Sequence, residues 1–173
     1  MKNTIIFDLD GTLAIIEKRR IKAGSPTGKT PTPSKMNWDV FFDADNIKLD
    51  EPNIPVIKMA QTFHKDGFKI VIFSGRNDRS FHTTKEWLNQ HGVPFDLLVM
   101  RPDKFKDESW PIASGNPATK AMRFMPDEIL KKEMLNTFVN KDDVLMCVDD
   151  RQKVVDMWRE NGLTCFQVAP GDF

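Results

Sequence analysis

The chain has 173 residues, with 25 basic and 25 acidic side chains and a formal charge of zero. That length suits one domain with a real core. The charge balance gives no global field toward DNA or a membrane surface, and no apolar run approaches the roughly 20 residues of a membrane helix.

In chain order, residues 3–7 read as a short buried strand of β-branched and aromatic residues. The N-terminus runs straight into it, so no signal peptide is expected. Residues 14–51 read as an irregular insertion broken by Gly24, Pro26, Gly28, Pro31 and Pro33. A helix is predicted from about Pro52 to Lys65, stopped by Asp66-Gly67. Phe68–Phe73 is the second strand, and Asp78-Arg79-Ser80 opens a helix that ends at His91-Gly92. Phe95–Met100 is the third strand, and residues 101–125 are a second irregular stretch. A helix from Pro126 to Val139, a strand Val144–Val148, a helix Arg151–Glu160 and a strand Leu163–Ala169 complete the chain. Cys147 and Cys165 fall in apolar strand-like runs, so buried reduced thiols and a cytoplasmic setting are expected.

Strands alternate with helices, and the strands are apolar throughout. That pattern predicts an α/β fold with a parallel sheet covered on both faces. Ligands of such sheets bind at the carboxyl ends of the strands, and the chemistry-bearing residues cluster there.

Phe7-Asp8-Leu9-Asp10-Gly11-Thr12-Leu13 ends the first strand. Two carboxylates two residues apart share a face of an extended chain. Asp8 can attack phosphorus to form an aspartyl-phosphate, and Asp10 can serve as general acid and then base. The plain alternative is a solvated Asp-Gly turn. After the second strand, the Ser74 hydroxyl and the N–H groups around Gly75 suit phosphate oxygens, and Arg76 can add a bidentate clamp. Lys131 sits early in a helix, against the dipole preference, which makes sense if it neutralises Asp8 and phosphate. Lys132 is the alternative. Asp149 and Asp150 follow the fourth strand. Adjacent carboxylates repel unless a cation sits near, and oxygen ligands select Mg²⁺. The expected ligands are Asp8, Asp149 and the Asp10 carbonyl, with Asp150 as helix cap or holder of a metal-bound water. Ala23–Thr30 imitates a phosphate-binding P-loop, but it lacks the first glycine, the preceding strand and a following helix.

The pattern hhhhDxDGT, with Ser74, Lys131 and the Asp149-Asp150 pair in order, resembles the haloacid dehalogenase (HAD) superfamily of phosphotransferases. Val148–Trp158, Gly162–Cys165 and Gln167–Phe173 resemble more closely the 3′-phosphatase domain of bacteriophage polynucleotide kinase–phosphatases. Leu98–Pro102, Asp127-x-x-x-Lys131 and Asp8–Ala14 fit the same pattern. The resemblance implies a HAD-like Rossmannoid three-layer sandwich, with a small flap or cap inserted after the first strand. It implies a Mg²⁺-dependent phosphomonoesterase that removes 3′-terminal phosphates from nucleic acid through an aspartyl-phosphate. It places Thr12, Arg19, Arg101, Arg123 and Asp127, with Ser74, Gly75 and Arg76, among the substrate contacts. It also allows a homo-oligomer.

The chain starts at the phosphatase strand, so one phosphatase domain over 1–173 without a kinase is expected. The basic segment Lys18, Arg19, Arg20, Lys22, Lys29 and Lys35 could form a flap suited to a polyanion, or a solvated loop. Trp38, Phe41 and Phe42 could stack a base or seat that flap. Met157 and Trp158 read as helix packing, and neither His64 nor His91 is given a catalytic role. Two other readings compete: the same chemistry on mononucleotides or other small phosphomonoesters, and an inactive module that binds phosphate ends.

Overall fold

The computed structural model describes residues 1–24, 36–103 and 120–171. Five parallel strands form the central sheet: β1 (Thr4–Phe7), β4 (Lys69–Asn77), β5 (Leu97–Arg101), β6 (Val144–Arg151) and β7 (Cys165–Gly171). Their spatial order is β5-β4-β1-β6-β7. The chain builds one side of β1 first and then crosses to the other, so the crevice opens where β1 meets β6.

The strands are apolar on both faces because both faces are covered. Ile5 and Phe7, Ile70 and Ile72, Leu98 and Met100 point to one core. There they meet Val56, Ile57 and Ala60 of α4 (Ile54–Lys65) and Trp87 and Leu88 of α5 (Phe81–Gln90). The alternate residues Ile6, Val71, Phe73 and Val99 point to a second core. It is closed by Leu130, Met134 and Leu135 of α6 (Asp127–Phe138) and Val154, Val155 and Trp158 of α7 (Gln152–Glu160). This period-two division is the sheet pleat expressed as two cores. The architecture is the expected α/β sandwich.

The described residues of the stretch 14–51 are more ordered than expected. Ala14–Ile15 (β2) pairs antiparallel with Glu51–Pro52 (β3). Among the described residues between them lie three short helices: α1 (Glu17–Lys22), α2 (Trp38–Phe41) and α3 (Ala44–Ile47). Helices of four to six residues carry no readable period, so side-chain caps hold the last two. Asn37 accepts from the Val40 N–H and Asp43 from the Asp45 N–H. The segment seats on the first core through Met36 and Phe41.

Most of the P-loop-like stretch, Lys29, Lys35 and most of 101–125 lie outside the described residues. Its described end, Lys120–Phe124, is a 3-10 turn leading into α6. Cys147 and Cys165 are register neighbours on β6 and β7, both buried as free thiols. Burial pushes the Cys165 thiol up to about 12 and the Cys147 thiol higher still. No described helix is long and apolar enough to cross a membrane.

Candidate active site

The register Phe7↔Val148 sets the ends of β1 and β6 abreast, and the Asp8 N–H donates to the Val148 carbonyl at 2.9 Å. Asp8 and Asp149 therefore leave neighbouring strands side by side. One oxygen from each of Asp8, Asp149 and Asp150 lies within 4.8 Å of the other two. Lys131, from the first turns of α6, donates to Asp8 Oδ1 at 2.6 Å and to Asp149 Oδ2 at 2.9 Å. Thr12 Oγ1 donates to Asp8 Oδ2 at 3.1 Å and Trp158 Nε1 to Asp149 Oδ2 at 3.2 Å.

Three buried carboxylates facing one ammonium leave a local charge deficit. Burial pushes the Asp8 carboxyl up, with Asp149 and Asp150 adding repulsion against the pull of Lys131. Burial and then Asp149 push Asp150 up to about 7. Burial disfavours the Lys131 ammonium, but Asp149 and Asp8 overcome it and raise its pKa. An all-oxygen set with surplus negative charge is the donor chemistry of a hard divalent cation. Gly11 makes room for this grouping. Its φ is +86°, and a Cβ there would run into the Asp150 carboxylate. Asp150 does not cap α7. That position belongs to Arg151, which makes no side-chain cap bond.

Asp10 belongs to a second group. Its Oδ1 accepts from Arg19 Nη2 and from Arg76 Nε at 2.8 Å. Both arginines turn also to Asp50, which accepts from Arg19 Nε and Nη2 at 2.9 Å and from Arg76 Nη2 at 2.7 Å. Thr84 Oγ1 and the Phe41 carbonyl take the remaining guanidinium contacts. Burial would raise the Asp10 carboxyl, but Arg19 and Arg76 outweigh it and hold it at about 2. Asp10 Oδ2 has no partner among the described residues.

Two expected contacts thus change character. Arg19 and Arg76 are fully buried, so neither presents a fork to the cavity. Both reach the cavity wall through their bonds to Asp10. Among the described residues of the basic flap, Lys18 pairs with Glu51, Arg20 with Glu17, and Arg19 with Asp10 and Asp50. Thr12 and Ser74 are buried as well. Ser74 Oγ accepts the Arg76 N–H at 3.1 Å.

A third group frames the other side. Asp127 takes Arg101 on Oδ1 and Arg151 on Oδ2, the latter at 2.6 Å. Burial pushes the Asp127 carboxyl up, but Arg151 and Arg101 outweigh it and lower it. Asp127 packs where Gly75 has no side chain, since a Cβ there would meet Asp127 Oδ1 at 2.6 Å. Arg101 also donates to the carbonyls of Gly75, Met122 and Met125, so it ties β5 to the turn before α6. Arg123 pairs with Asp103 at 3.3 Å.

The three groups enclose a cavity of about 410 Å³ with Asp8, Asp10, Gly75, Arg101, Arg123, Asp127, Lys131, Asp149 and Asp150 on its walls. Asp50, Arg151 and Trp158 also belong to this machinery, although the sequence reading gave them no site role. Only Arg151 left a signal, through its place beside Asp149-Asp150. Asp50 lies 31 residues from Arg19 and carries no motif.

Comparison with known proteins places the chain among phosphatases. Residues 30–173 match the family described as the polynucleotide kinase PNKP phosphatase domain. Two solved structures, one of the Pnkp1/Rnl/Hen1 RNA repair complex and one of a Pnkp1/Rnl/Hen1 complex, contain chains 29% identical over 98% and 99% of this chain, with TM-scores of 0.70. This chain spans 43% and 47% of their lengths. A predicted phosphatase from Clostridium acetobutylicum shares the fold at 14% identity, with a TM-score of 0.66 over 96% of this chain and 84% of the other. The family match runs through β4, α6 and β6, the elements that bring Gly75, Lys131 and Asp149 to the cavity. The chain therefore belongs to the PNKP phosphatase-domain family, and is a HAD-type phosphoric monoester hydrolase.

Proposed function

We propose that this phosphatase removes 3′-terminal phosphates from nucleic acid, with Asp8 as nucleophile. The observation that carries the chemistry is the meeting of Asp8, Lys131, Asp149 and Asp150 on one cavity floor. The resemblance to chains in an RNA repair complex supports the choice of substrate.

Asp8, Asp149 and Asp150 would hold Mg²⁺, which when bound neutralises the phosphoryl oxygens and orients the group toward Asp8. Lys131 adds a fixed positive charge, and Thr12 holds the Asp8 carboxylate by its Oδ2. An Asp8 oxygen forms the new bond to phosphorus as the bond to the 3′-oxygen breaks. Held low by two arginines, Asp10 arrives ionised. It takes the proton that a monoester monoanion brings, on Oδ2, and passes it to the leaving oxygen. A water then attacks the aspartyl-phosphate, gives its proton to Asp10, and inorganic phosphate leaves with Asp8 restored.

The test compares phosphate release from a 3′-phosphorylated oligonucleotide, the same chain phosphorylated at its 5′ end, and a 3′-mononucleotide. The proposal predicts release chiefly from the 3′-phosphorylated chain and its loss in Asp8→Asn. Faster release from the mononucleotide would make the protein a nucleotidase. Binding without release from any of the three would make it a phosphate-end binder.

A further inference from the structure

The outer wall of the cavity has a different character from its floor. Trp38 and Phe124 line it together with Arg79 and Arg123. Trp38 is 38% exposed and Phe124 78%, although both are large apolar rings beside a polar site. The Trp38 indole is not loose. It stacks on Phe42 with centroids 5.7 Å apart and planes 19° apart, and meets Phe41 edge-on at 5.6 Å. Arg19 lies over the Phe41 ring at 4.2 Å and donates to Asp10. One packed series therefore runs from Trp38 through Phe41 and Arg19 to Asp10. It fixes the indole relative to the reacting centre.

Seating the insertion on the core accounts for Phe41, which is buried, but not for Trp38, whose indole N–H donates to no described residue. Beside it, Arg79 and Arg123 share one buried carboxylate, Asp103, at 3.2 and 3.3 Å. Arg79 Nε also donates to Asn77 Oδ1 at 3.3 Å, and its other carboxylate partner, Asp39, is exposed and 3.5 Å away. An anchored aromatic face next to guanidiniums fits a flat heteroaromatic ring that carries phosphates.

We infer that the outer wall is a nucleobase site, in which the terminal base of the substrate stacks on Trp38 while its 3′-phosphate reaches Asp8. This rests on the proposed action at 3′-phosphate ends and adds what the enzyme recognises there. Stacking needs only a π face, so all four bases should be accepted. A sugar-phosphate end without a base should be a poor substrate.

The experiment measures kcat/KM on two 3′-phosphorylated oligonucleotides. One ends in an ordinary nucleotide and the other in a tetrahydrofuran residue that lacks a base. The wild-type enzyme should prefer the first by about 5- to 150-fold, the factor that ~1–3 kcal/mol of base stacking gives. Trp38→Ala should bring that ratio close to one, and Trp38→Phe should restore most of it. The ratio is taken within each variant, so partial misfolding cancels. A wild-type preference that persists in Trp38→Ala, or no wild-type preference, would overturn the nucleobase site alone. No wild-type release from either end would overturn the 3′-phosphatase reading with it.

Discussion

Replacing Asp50 with Asn tests the idea that Asp10 is held by a buried charge cluster. Asp50 is 4% exposed and accepts three hydrogen bonds from Arg19 and Arg76. With Asp10 it balances two guanidiniums, so the group is neutral. Asparagine keeps the shape but removes one charge and sets an NH₂ donor against guanidinium donors. Removing one partner from a buried ion pair costs about 3–5 kcal/mol. At roughly 2–4 °C per kcal/mol for a chain of this size, the melting temperature should fall by about 6–20 °C. Activity should fall about 100-fold beyond the unfolded fraction, because Arg19 and Arg76 would no longer fix Asp10. Urea unfolding and phosphate release at a temperature where both proteins are folded measure the two effects. A loss below about 1 kcal/mol with normal turnover would refute the cluster as a positioning device.

Two further perturbations probe the other groups. Gly75→Ala would put a Cβ 2.6 Å from Asp127 Oδ1 and push Asp127 away from Arg101 and Arg151. It should cost about 1–3 kcal/mol of stability and a larger share of activity, read by thermal melting and kinetics. Asp150→Asn removes a carboxylate that makes no ion pair among the described residues and repels Asp149. In EDTA the variant should be at least as stable as wild type. Saturating Mg²⁺ should stabilise wild type by about 2.7 kcal/mol at a hundredfold excess over Kd, and stabilise the variant clearly less. Equal Mg²⁺-induced shifts in the two melts would remove Asp150 from the cation site.

The sheet was legible because its strands are short, apolar runs at regular intervals, and the parallel arrangement follows from burial on both faces. The meeting of Asp8, Lys131 and Asp149 was legible because motifs at strand and helix ends converge in such a sheet. The ends of the strands were not. β4 runs on to Asn77 and β6 to Arg151, past the residues read as turns, because pairing resumes after register shifts at Asn77↔Arg101 and Arg151↔Gly171. The short helices of 14–51 were missed because caps and tertiary contacts make them, not periodicity. Sequence shows charge and not burial, so Arg76 reads as a bidentate clamp and Arg19 as part of a basic flap. Their common partner Asp50 sits at the edge of β3 with no motif to mark it. Trp158 looked like pure packing, and it is largely that, yet its N–H also steadies Asp149.

The most direct test of the account is a rapid-quench experiment with an oligonucleotide carrying a radiolabelled 3′-phosphate, in Mg²⁺. The account predicts label on the protein at Asp8 before it appears as inorganic phosphate. It predicts no transfer in Asp8→Asn or in EDTA, and build-up of labelled protein in Asp10→Asn if that variant transfers at all. Label that passes straight to inorganic phosphate without residing on the protein, or release that survives Asp8→Asn, would contradict it.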